Sequence, residues 1–532
     1  DHLSQWLASF GGSLAQWGLG ATSQDTSGLG GGTASTWQKG VYDAPSELAQ
    51  TCANPRQNAT YQDALGTVAD ENNWIRSWTH DSYLWYGGLP DIDPSSKDNT
   101  LDYFDMMRTE ELTPTGSPVD PLAHRWTMDT EVFLSEYAGS ASFGYGMHLL
   151  FYNPVESRRI FVAFNLPGTP AAGALIDRGT EIIAIDGEPV AGGNVSVIRA
   201  ALAPSVLGES HVFQVRDFNA SETRTVSMQS AEISPTPVPI YRAIDRAETL
   251  PLGTTKSVGY VLFNEHSAIS EAQLIEGVEA LIAAEVDELV LDLRYNSGGL
   301  MYVAAQLAYM IVGDAALNQT FLRPMYNDKY QIFDPVNSQL IQDVPFLDVT
   351  VGAPNLIGRP LNTPLPSLDL SRVFILADWG TCSSSELIIN SLRGIGIEVI
   401  LVGGTTCGKP YGGVPVDNCG TTYYMIQQMT ANAVGFGDYA DGFRPTQHTD
   451  TGGSAVRGCL VYDNLSQPLG QVNEAMLNTA LHYIAQGACP SASMAVRQKY
   501  ESPWNTTLQK TPVSGTAIMG LPRGSETSRN GL

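Results

Sequence analysis

Three consecutive serines and one lysine carry the strongest chemical signal in the sequence. Ser383, Ser384 and Ser385 follow one apolar stretch, and Lys409 follows the next. A serine hydroxyl attacks a carbonyl efficiently only when a neighbouring base removes its proton, and a neutral lysine amine can be that base. We therefore predict that Ser383 and Lys409 form a nucleophile and base pair. Spacing alone leaves Ser384 and Ser385 open as nucleophiles.

The elements around these residues would bring the serine and the lysine together. The pattern predicts a strand over 373–377, a helix from about Glu386, and a second strand over 397–402 that ends in a glycine and threonine loop. This returning strand would carry Lys409 back to the start of the helix. We expect Lys409 to be largely buried, since burial favours the neutral amine.

Each of these features also has a purely structural interpretation. Ser383 and Glu386 have the spacing of a capping box, which satisfies amides at a helix start. The glycines after Asn296 can form a tight turn. Capping and catalysis are compatible, because a helix N-terminus places positive partial charge near a developing oxyanion.

Residues upstream of the serines predict a sheet covered by helices. The segments 257–263 and 287–294 have apolar runs typical of strands, whereas 270–286 and 301–313 have helical periodicity. Alternating strands and helices favour a parallel or mixed sheet with helices on its faces.

Changes in composition and periodicity along the chain predict five regions. In chain order they are a flexible lead rich in glycine and serine (1–55), a small helical domain (56–138), a β-rich domain (139–235), the α/β core (236–490) and an irregular tail (491–532). Aromatic residues recur at helical spacing in the second region, which predicts a packed core rather than a ligand site. His80 and His124 lie near it, and we assign them no role.

Charge excludes several classes of partner. The chain has 532 residues, with 29 basic and 55 acidic side chains and a net charge of −26. Nucleic acids and anionic lipids both require basic patches, so neither is expected as a partner. No apolar run approaches the roughly 18 residues that a transmembrane helix needs. The first residues lack the pattern of a signal peptide, so we expect that any signal or lipid-anchor segment has been removed.

Six cysteines suggest an oxidising compartment. Cys407 and Cys419 bracket a short loop, and Cys459 and Cys489 flank a predicted helix, so two local disulfides are plausible. The spacings match no zinc site, and we expect no metal or organic cofactor. Cys382 has no histidine nearby to make it a thiolate, which favours a small buried residue.

The β-rich region resembles a PDZ domain. Gly144, Tyr145, Gly146 and Met147 occupy the place of the carboxylate-binding loop of that family, and 168–172 matches a later landmark. The resemblance implies that this loop binds a peptide carboxylate while the peptide adds a strand to the sheet edge.

Three motifs of the core resemble the C-terminal processing peptidases of family S41, in a secreted bacterial branch with a PDZ domain. Residues 292–299 (DLRYNSGG) resemble the DLRxNxGG signature, 381–386 (TCSSSE) the nucleophile segment, and 406–409 (TCGK) the lysine segment. All three occur in family order, and the resemblance covers roughly 60–490.

The resemblance implies an α/β protease core of the ClpP or crotonase type and a serine endopeptidase. It assigns Ser383 as nucleophile and Lys409 as general base, and implies oxyanion donors at the amides of Ser384, Gly298 and Gly299. Protein or peptide substrates and a periplasmic or secreted location follow from the same resemblance, and the glycine- and serine-rich lead could tether the protein to a membrane anchor.

Two departures bear on the lysine. Its spacing from Ser383 is one residue longer than in the family, and Gly413 stands where relatives place an orienting glutamine. A dyad, or a polar group from Thr405, Thr406 or Asn418, would then position Lys409. In this branch we also expect Cys407 and Cys419 to be bonded.

Other functions stay open at this stage. They are a catalytically inactive binding protein of the same fold, a scaffold in which the PDZ-like domain binds peptides, and a Ser/His enzyme that uses His124 or His148. An α/β-hydrolase is disfavoured, because no G-x-S-x-G sequence surrounds Ser383.

Overall fold

The structure is a computed structural model that describes residues 37–58, 60–121, 124–137, 141–152, 158–249, 252–254, 256–336, 338–447 and 452–490. The predicted tail (491–532) and residues 1–36 of the predicted lead lie outside this part. Contacts divide the chain into two compact units. The first takes residues from Asp1–Ala138, Leu317–Pro364 and Gly408–Asp441, and the second from Gly139–Ala316, Leu365–Cys407 and Gly442–Leu532.

The strands of the described residues are short and are numbered here in chain order. They are β1 (Thr51–Cys52), β2 (Ala64–Leu65), β3 (Trp126–Asp129), β4 (Ser142–Gly144), β5 (Met147–Tyr152), β6 (Arg159–Asn165), β7 (Glu181–Ile185), β8 (Glu188–Pro189), β9 (Ser210–Arg216), β10 (Arg224–Gln229), β11 (Ala231–Ile233), β12 (Ile240–Ile244), β13 (Val258–Leu262), β14 (Glu288–Asp292), β15 (Thr320–Met325), β16 (Val344–Pro345), β17 (Arg372–Ala377), β18 (Glu398–Gly403), β19 (Tyr411–Gly412), β20 (Val416–Asn418), β21 (Thr421–Tyr424), β22 (Gln428–Ala431), β23 (Arg444–Thr446) and β24 (Ala455–Leu460).

The α-helices are numbered in the same way. They are α1 (Pro45–Leu48), α2 (Val68–Ser82), α3 (Thr100–Met106), α4 (Thr130–Tyr137), α5 (Pro170–Gly173), α6 (Val195–Leu202), α7 (Arg246–Thr249), α8 (Ser270–Ala283), α9 (Met301–Val312), α10 (Pro354–Ile357), α11 (Ser384–Gly394) and α12 (Ala475–Gln486). None of these helices has both the length and the apolar character needed to cross a membrane.

A seven-stranded sheet forms the centre of the second unit. Its strand order is β12-β13-β14-β17-β18-β24-β23, and all neighbours are parallel except the antiparallel pair β12 and β13. Every residue of β13 and β14 is buried, as expected for parallel strands covered on both faces. The predicted mixed α/β sheet is confirmed.

Helix α8 of this unit buries one apolar face. In α8 the buried residues Leu274, Ile275, Val278 and Leu281 recur at helical spacing, so they share one side of the helix.

The predicted strand over 373–377 corresponds to β17, and the predicted strand over 397–402 to β18. The helix predicted from about Glu386 begins at Ser384.

The β-rich region forms a separate sheet within the second unit. Its order is β10-β9-β7-β6-β5, with β8 paired to β7. Buried residues of these strands, among them Phe213, pack with Ile198 of α6 in a hydrophobic core of their own. In this sheet β5 is an edge strand, so one side of its backbone is unpaired there.

The first unit has an aromatic core, as the sequence predicts. Helix α2 begins with a capping box between Thr67 and Asp70. Trp74 and Trp78 stack 5.1 Å apart and pack with the buried Tyr423.

Two sheets of the first unit join segments that are distant in sequence. Strand β3 pairs with β21, and β15 pairs with β22. The segment predicted as one α/β core, 236–490, therefore contributes to both units.

Candidate active site

The predicted nucleophile lies at a sharp turn between strand β17 and helix α11. Ser383 is the N-cap residue of α11, with a φ of 53° and a ψ of −117°. A non-glycine residue in this left-handed region costs about 1–3 kcal/mol and persists only where its surroundings enforce it. The turn therefore holds Ser383 in a strained conformation at the helix N-terminus.

The three serines have different environments. The Ser384 hydroxyl donates to the Gly299 carbonyl at 2.6 Å, and the Ser385 hydroxyl donates to the Asn296 carbonyl at 3.0 Å. Both of these serines are fully buried, whereas Ser383 is half-buried. The two alternatives to Ser383 thus hold the neighbouring turn in place.

That neighbouring turn follows strand β14 and requires glycine. Gly298 and Gly299 have φ values of 100° and 132°. A Cβ atom on Gly298 would lie 2.8 Å from the Cβ of Ser383 and 3.0 Å from the amide nitrogen of Ser384. The DLRxNxGG-like motif and the predicted nucleophile are therefore in direct contact.

The amides of this turn are not equivalent. The Gly298 amide donates to the side-chain oxygen of Asn296 at 3.0 Å. This amide therefore already has an acceptor. Among the described residues, the amides of Gly299 and Ser384 have no acceptor. Of the three amides predicted as oxyanion donors, these two remain available.

Asn296 and His266 support the turn, and sequence reasoning assigned no role to either. The Oδ1 atom of Asn296 lies 3.0 Å from Nδ1 of His266, while its amide group donates to the Phe263 carbonyl at 3.0 Å. Burial lowers the pKa of His266 to about 3, so the ring is neutral, and Nδ1 carries the proton that faces Oδ1. Asn296 belongs to the quoted motif, whereas no sequence pattern distinguished His266.

A buried carboxylate connects the nucleophile turn to the loop after strand β18. Glu386 accepts a hydrogen bond from the Ser383 amide at 3.0 Å and from the Thr406 hydroxyl at 2.5 Å. The first contact is the glutamate half of the predicted capping box. The Thr406 oxygen also accepts from the Phe443 amide at 2.7 Å. Thr406, an expected partner for Lys409, instead bonds to Glu386.

A second carboxyl group lies at the end of strand β17. Asp378 accepts from the Trp379 amide at 2.8 Å, and its own amide donates to the Thr381 hydroxyl at 3.0 Å. Desolvation raises the pKa of Asp378 to about 7. Its charge therefore changes near neutral pH, five residues before Ser383.

Lys409 belongs to the first unit. Its amine lies 3.4 Å from the His124 carbonyl and 5.1 Å from the centre of the Tyr424 ring. The side chain is half-buried rather than largely buried as expected. Ser383 belongs to the second unit, so the pairing of these two residues stays a prediction.

Gly413, where the family resemblance leads us to expect an orienting glutamine, cannot carry a side chain without rearrangement. A Cβ atom there would lie 2.0 Å from the Met425 carbonyl oxygen. Close packing against the chain thus explains the glycine. The Asn418 side chain accepts from the Gln50 amide at 2.7 Å, and the contacts of Lys409 described above are to His124 and Tyr424.

The disulfides differ from the expected pairing. Cys382 is bonded to Cys407, Cys52 to Cys419, and Cys459 to Cys489. The predicted Cys459–Cys489 bond is confirmed, whereas the predicted Cys407–Cys419 bond is wrong. Cys382 is buried, as expected, but it is a disulfide partner rather than a simple small residue. Spacing favoured the shortest loop and could not reveal the bond to Cys52, which lies 367 residues from its partner.

The predicted carboxylate-binding loop joins strands β4 and β5. Gly146 has a φ of 77°, and a Cβ atom there would lie 2.4 Å from the Thr169 side chain. The carbonyls of Tyr145 and Gly146 accept from the amides of Ala171 and Leu166. The loop is therefore anchored where edge strand β5 begins at Met147.

A buried ionic cluster connects the PDZ-like region to the core within the second unit. Arg178 donates to the Tyr295 hydroxyl at 2.5 Å and forms an ion pair with Asp463. Tyr295 lies within the DLRYNSGG motif and also donates to Asp463. His148 of β5 lies 5.5 Å from the Tyr295 ring and stacks on Phe164. The motif beside the nucleophile thus has direct contacts with the PDZ-like region.

Within the described residues, no group of three or more histidine, cysteine, aspartate or glutamate side chains could hold a metal ion.

Two parts of the chain match domain models of one family. Residues 257–429 match the peptidase family S41 domain, and 70–127 match the peptidase S41 N-terminal domain. The carboxyl-terminal-processing protease of Picosynechococcus sp. is 28% identical over 249 residues, which are 47% of this chain and 50% of that protein. The chloroplastic C-terminal processing peptidase of Tetradesmus obliquus is 25% identical over 258 residues, covering 48% and 49%. The alignments thus span about half the length of these relatives.

The fold has a solved counterpart. A putative S41 protease from Bacteroides fragilis covers 81% of this chain and 99% of its own, with a TM-score of 0.53 and 22% identity. At this identity the likeness establishes the fold alone.

Proposed function

We propose that the chain is a serine endopeptidase of family S41, from the premise that residues 257–429 match the peptidase domain of that family and 70–127 match its N-terminal domain. Its substrates would be proteins or peptides, with Ser383 as the nucleophile and Lys409 as the general base. The observation that carries the proposal is the position of Ser383, strained at a helix N-terminus and in contact with the Gly298–Gly299 turn.

The proposed reaction has two stages. The neutral amine of Lys409 accepts the hydroxyl proton as the Ser383 oxygen attacks the peptide carbonyl, and then passes it to the leaving amine. The tetrahedral intermediate carries a negative oxygen, which the amides of Gly299 and Ser384 would stabilise together with the positive end of α11. Water then hydrolyses the acyl-enzyme.

The nucleophile turn is well suited to this role. Oxyanion donors contribute most when they are fixed before the reaction. Ser384 and Ser385 bind the carbonyls of the glycine turn, and Asn296 fixes the Gly298 amide. The turn that carries the Gly299 amide is therefore held in place independently of substrate.

The disulfides support an oxidising location. Disulfides persist in secreted and periplasmic proteins and are rare in reducing compartments. Three cysteine pairs are bonded in this chain. We propose that the protein acts in the periplasm or outside the cell.

Trapping the nucleophile tests the proposed activity. The folded protein should cleave fluorescein-labelled unfolded casein, and a fluorophosphonate probe should block cleavage by modifying the peptide that contains Ser383. Mass spectrometry identifies the modified serine, with protein unfolded in urea as the control that should not react. No cleavage, or a probe attached to Ser384 or Ser385, would contradict the proposal.

The PDZ-like region would bind or gate substrate C-termini. Strand β5 lies at the edge of its sheet, and the loop of Gly144, Tyr145, Gly146 and Met147 lies at its start. An extended peptide could add to this edge while loop amides bind its carboxylate. The same observation favours a second candidate function, a peptide-binding scaffold without catalysis.

Removing the carboxylate charge from a peptide tests this role. With the Ser383→Ala variant, which prevents cleavage, a fluorescein-labelled peptide ending in valine should bind at least about tenfold more tightly than its C-terminal amide, because hydrogen bonds to a charged group are lost. Fluorescence anisotropy measures both affinities. Equal affinities would contradict carboxylate recognition.

A further inference from the structure

One disulfide lies directly beside the proposed nucleophile. It joins Cys382, the residue before Ser383, to Cys407, which is two residues before Lys409 in the sequence. Cys382 is 2% exposed, and its Cα atom lies 5.3 Å from that of Cys407. The bond therefore connects the nucleophile turn to the loop after strand β18.

Hydrogen bonds parallel this covalent link. The Cys407 amide donates to the Thr381 carbonyl at 3.1 Å, and the Cys382 amide donates to the Asn296 carbonyl at 3.1 Å. The Sγ atom of Cys407 lies 3.5 Å from the Glu386 carboxylate that accepts from the Ser383 amide. The residue before the nucleophile is thus held by the loop on one side and by the glycine turn on the other.

The strain at Ser383 gives this link a functional consequence. A φ of 53° at a serine is maintained only while neighbouring contacts enforce it. The disulfide is the one covalent bond outside the backbone that holds the adjacent residue. Opening it would let the turn relax and move the hydroxyl relative to the amides of Gly299 and Ser384.

We propose that the Cys382–Cys407 disulfide is a positioning element of the active site, so that its reduction lowers turnover reversibly. This inference rests on the proposed peptidase function. The step is a two-electron exchange in which a dithiol reductant becomes a disulfide while Cys382 and Cys407 each gain a hydrogen. Reoxidation by a small-molecule disulfide reverses it.

The Cys459–Cys489 disulfide is a matched control. It closes a separation of 30 residues, against 25 for Cys382 and Cys407. Loop closure depends only weakly on such a difference, so the two bonds constrain the unfolded chain almost equally. Cys459 lies on β24, and Cys489 follows α12. A purely structural role would give both double variants the same phenotype.

The two double variants should separate stability from turnover. Cys382→Ala with Cys407→Ala should lower the kcat for casein cleavage by about 10–100-fold, as expected for a misplaced catalytic group, with little change in KM. Both double variants should lower Tm by similar amounts. Cys459→Ala with Cys489→Ala should nevertheless keep the kcat of the wild type. An unchanged kcat in the first variant, or an equal loss in both, would overturn the inference.

Reduction of the wild-type protein covers the case in which the first variant does not fold. Dithiothreitol is titrated below the Tm, newly formed thiols are alkylated, and mass spectrometry identifies the opened pair. Activity, assayed in samples that are not alkylated, should fall as Cys382 and Cys407 become available for alkylation in parallel samples, and it should recover on reoxidation. Activity that persists after this pair opens would overturn the inference. Loss of activity that coincides with the opening of a different disulfide would overturn it as well. An oxidised wild type without any cleavage would instead contradict the proposed function itself.

Discussion

Ser383→Ala is expected to reduce the kcat for unfolded casein by about 10⁴-fold or more, because only binding and oxyanion stabilisation survive loss of a nucleophile. The fold should remain, since the glycine turn is bound by Ser384 and Ser385 rather than by the Ser383 side chain. Initial rates of casein cleavage and thermal unfolding measure the two effects separately.

Ser383→Gly tests whether the backbone at Ser383 is strained. It should be as inactive as the alanine variant, yet its free energy of unfolding should be higher than that of Ser383→Ala by about 1 kcal/mol, because glycine accepts a positive φ without steric cost. Urea unfolding of both variants measures the difference. A less stable glycine variant would mean that the turn is not strained in solution.

Ser391→Ala is the matched serine control on the same helix. Ser391 is 1% exposed, and its hydroxyl has no partner among the described residues. Removing an unpaired buried hydroxyl should leave stability unchanged or slightly raised. Cleavage should be unchanged, and loss of cleavage in this variant would mean that serine replacement on α11 perturbs the fold in general.

Local patterns predicted the centre of the second unit well. Buried parallel strands have apolar runs, so β14, β17 and β18 were predicted close to their observed bounds. The contact between the glycine turn and the nucleophile followed from the motifs. The hydrogen bond from the Gly298 amide to the Asn296 side chain could not be predicted, because the conformation of one side chain within a turn leaves no periodic signal in the sequence.

Long-range pairings account for most of what sequence reasoning missed. Strand β3 pairs with β21, almost 300 residues later, and Cys52 is bonded to Cys419. Neither pairing changes the local sequence pattern of either segment. The sequence therefore could not predict that three separate stretches form the first unit. The half-buried state of Lys409 has the same origin, because its neighbours His124 and Tyr424 come from different stretches.

Lys409→Met should abolish activity almost as completely as loss of the nucleophile. Methionine keeps most of the side-chain length but cannot accept a proton, so the proposed Ser383 attack would lose its base. We expect kcat to fall by about 10³-fold or more, given that proton transfer by a positioned group contributes about 10²–10⁴-fold and the hydroxyl is otherwise unreactive. The rate of fluorophosphonate labelling should fall in parallel.

Lys409→Arg tests whether activity requires a side chain that accepts a proton or only a positive charge. The guanidinium group can keep a positive charge near the His124 carbonyl and the Tyr424 ring, but it stays protonated at any working pH and cannot serve as a base. This variant should therefore be as inactive as Lys409→Met while it unfolds closer to the wild-type temperature. An active arginine variant would show that the lysine contributes only its charge.

Lys329→Met is the control for general effects of removing a lysine. Its amine also lies near a histidine carbonyl and a tyrosine ring, 2.6 Å from the oxygen of His80 and 3.7 Å from the ring centre of Tyr86. Loss of this amine removes the same kinds of contact, so the stability effects should be comparable. Casein cleavage by Lys329→Met should stay within about threefold of wild type, since a packing contact outside the catalytic groups acts on stability rather than on kcat. If both methionine variants lost activity equally, Lys409 would be a structural residue and the Ser/Lys mechanism would be excluded.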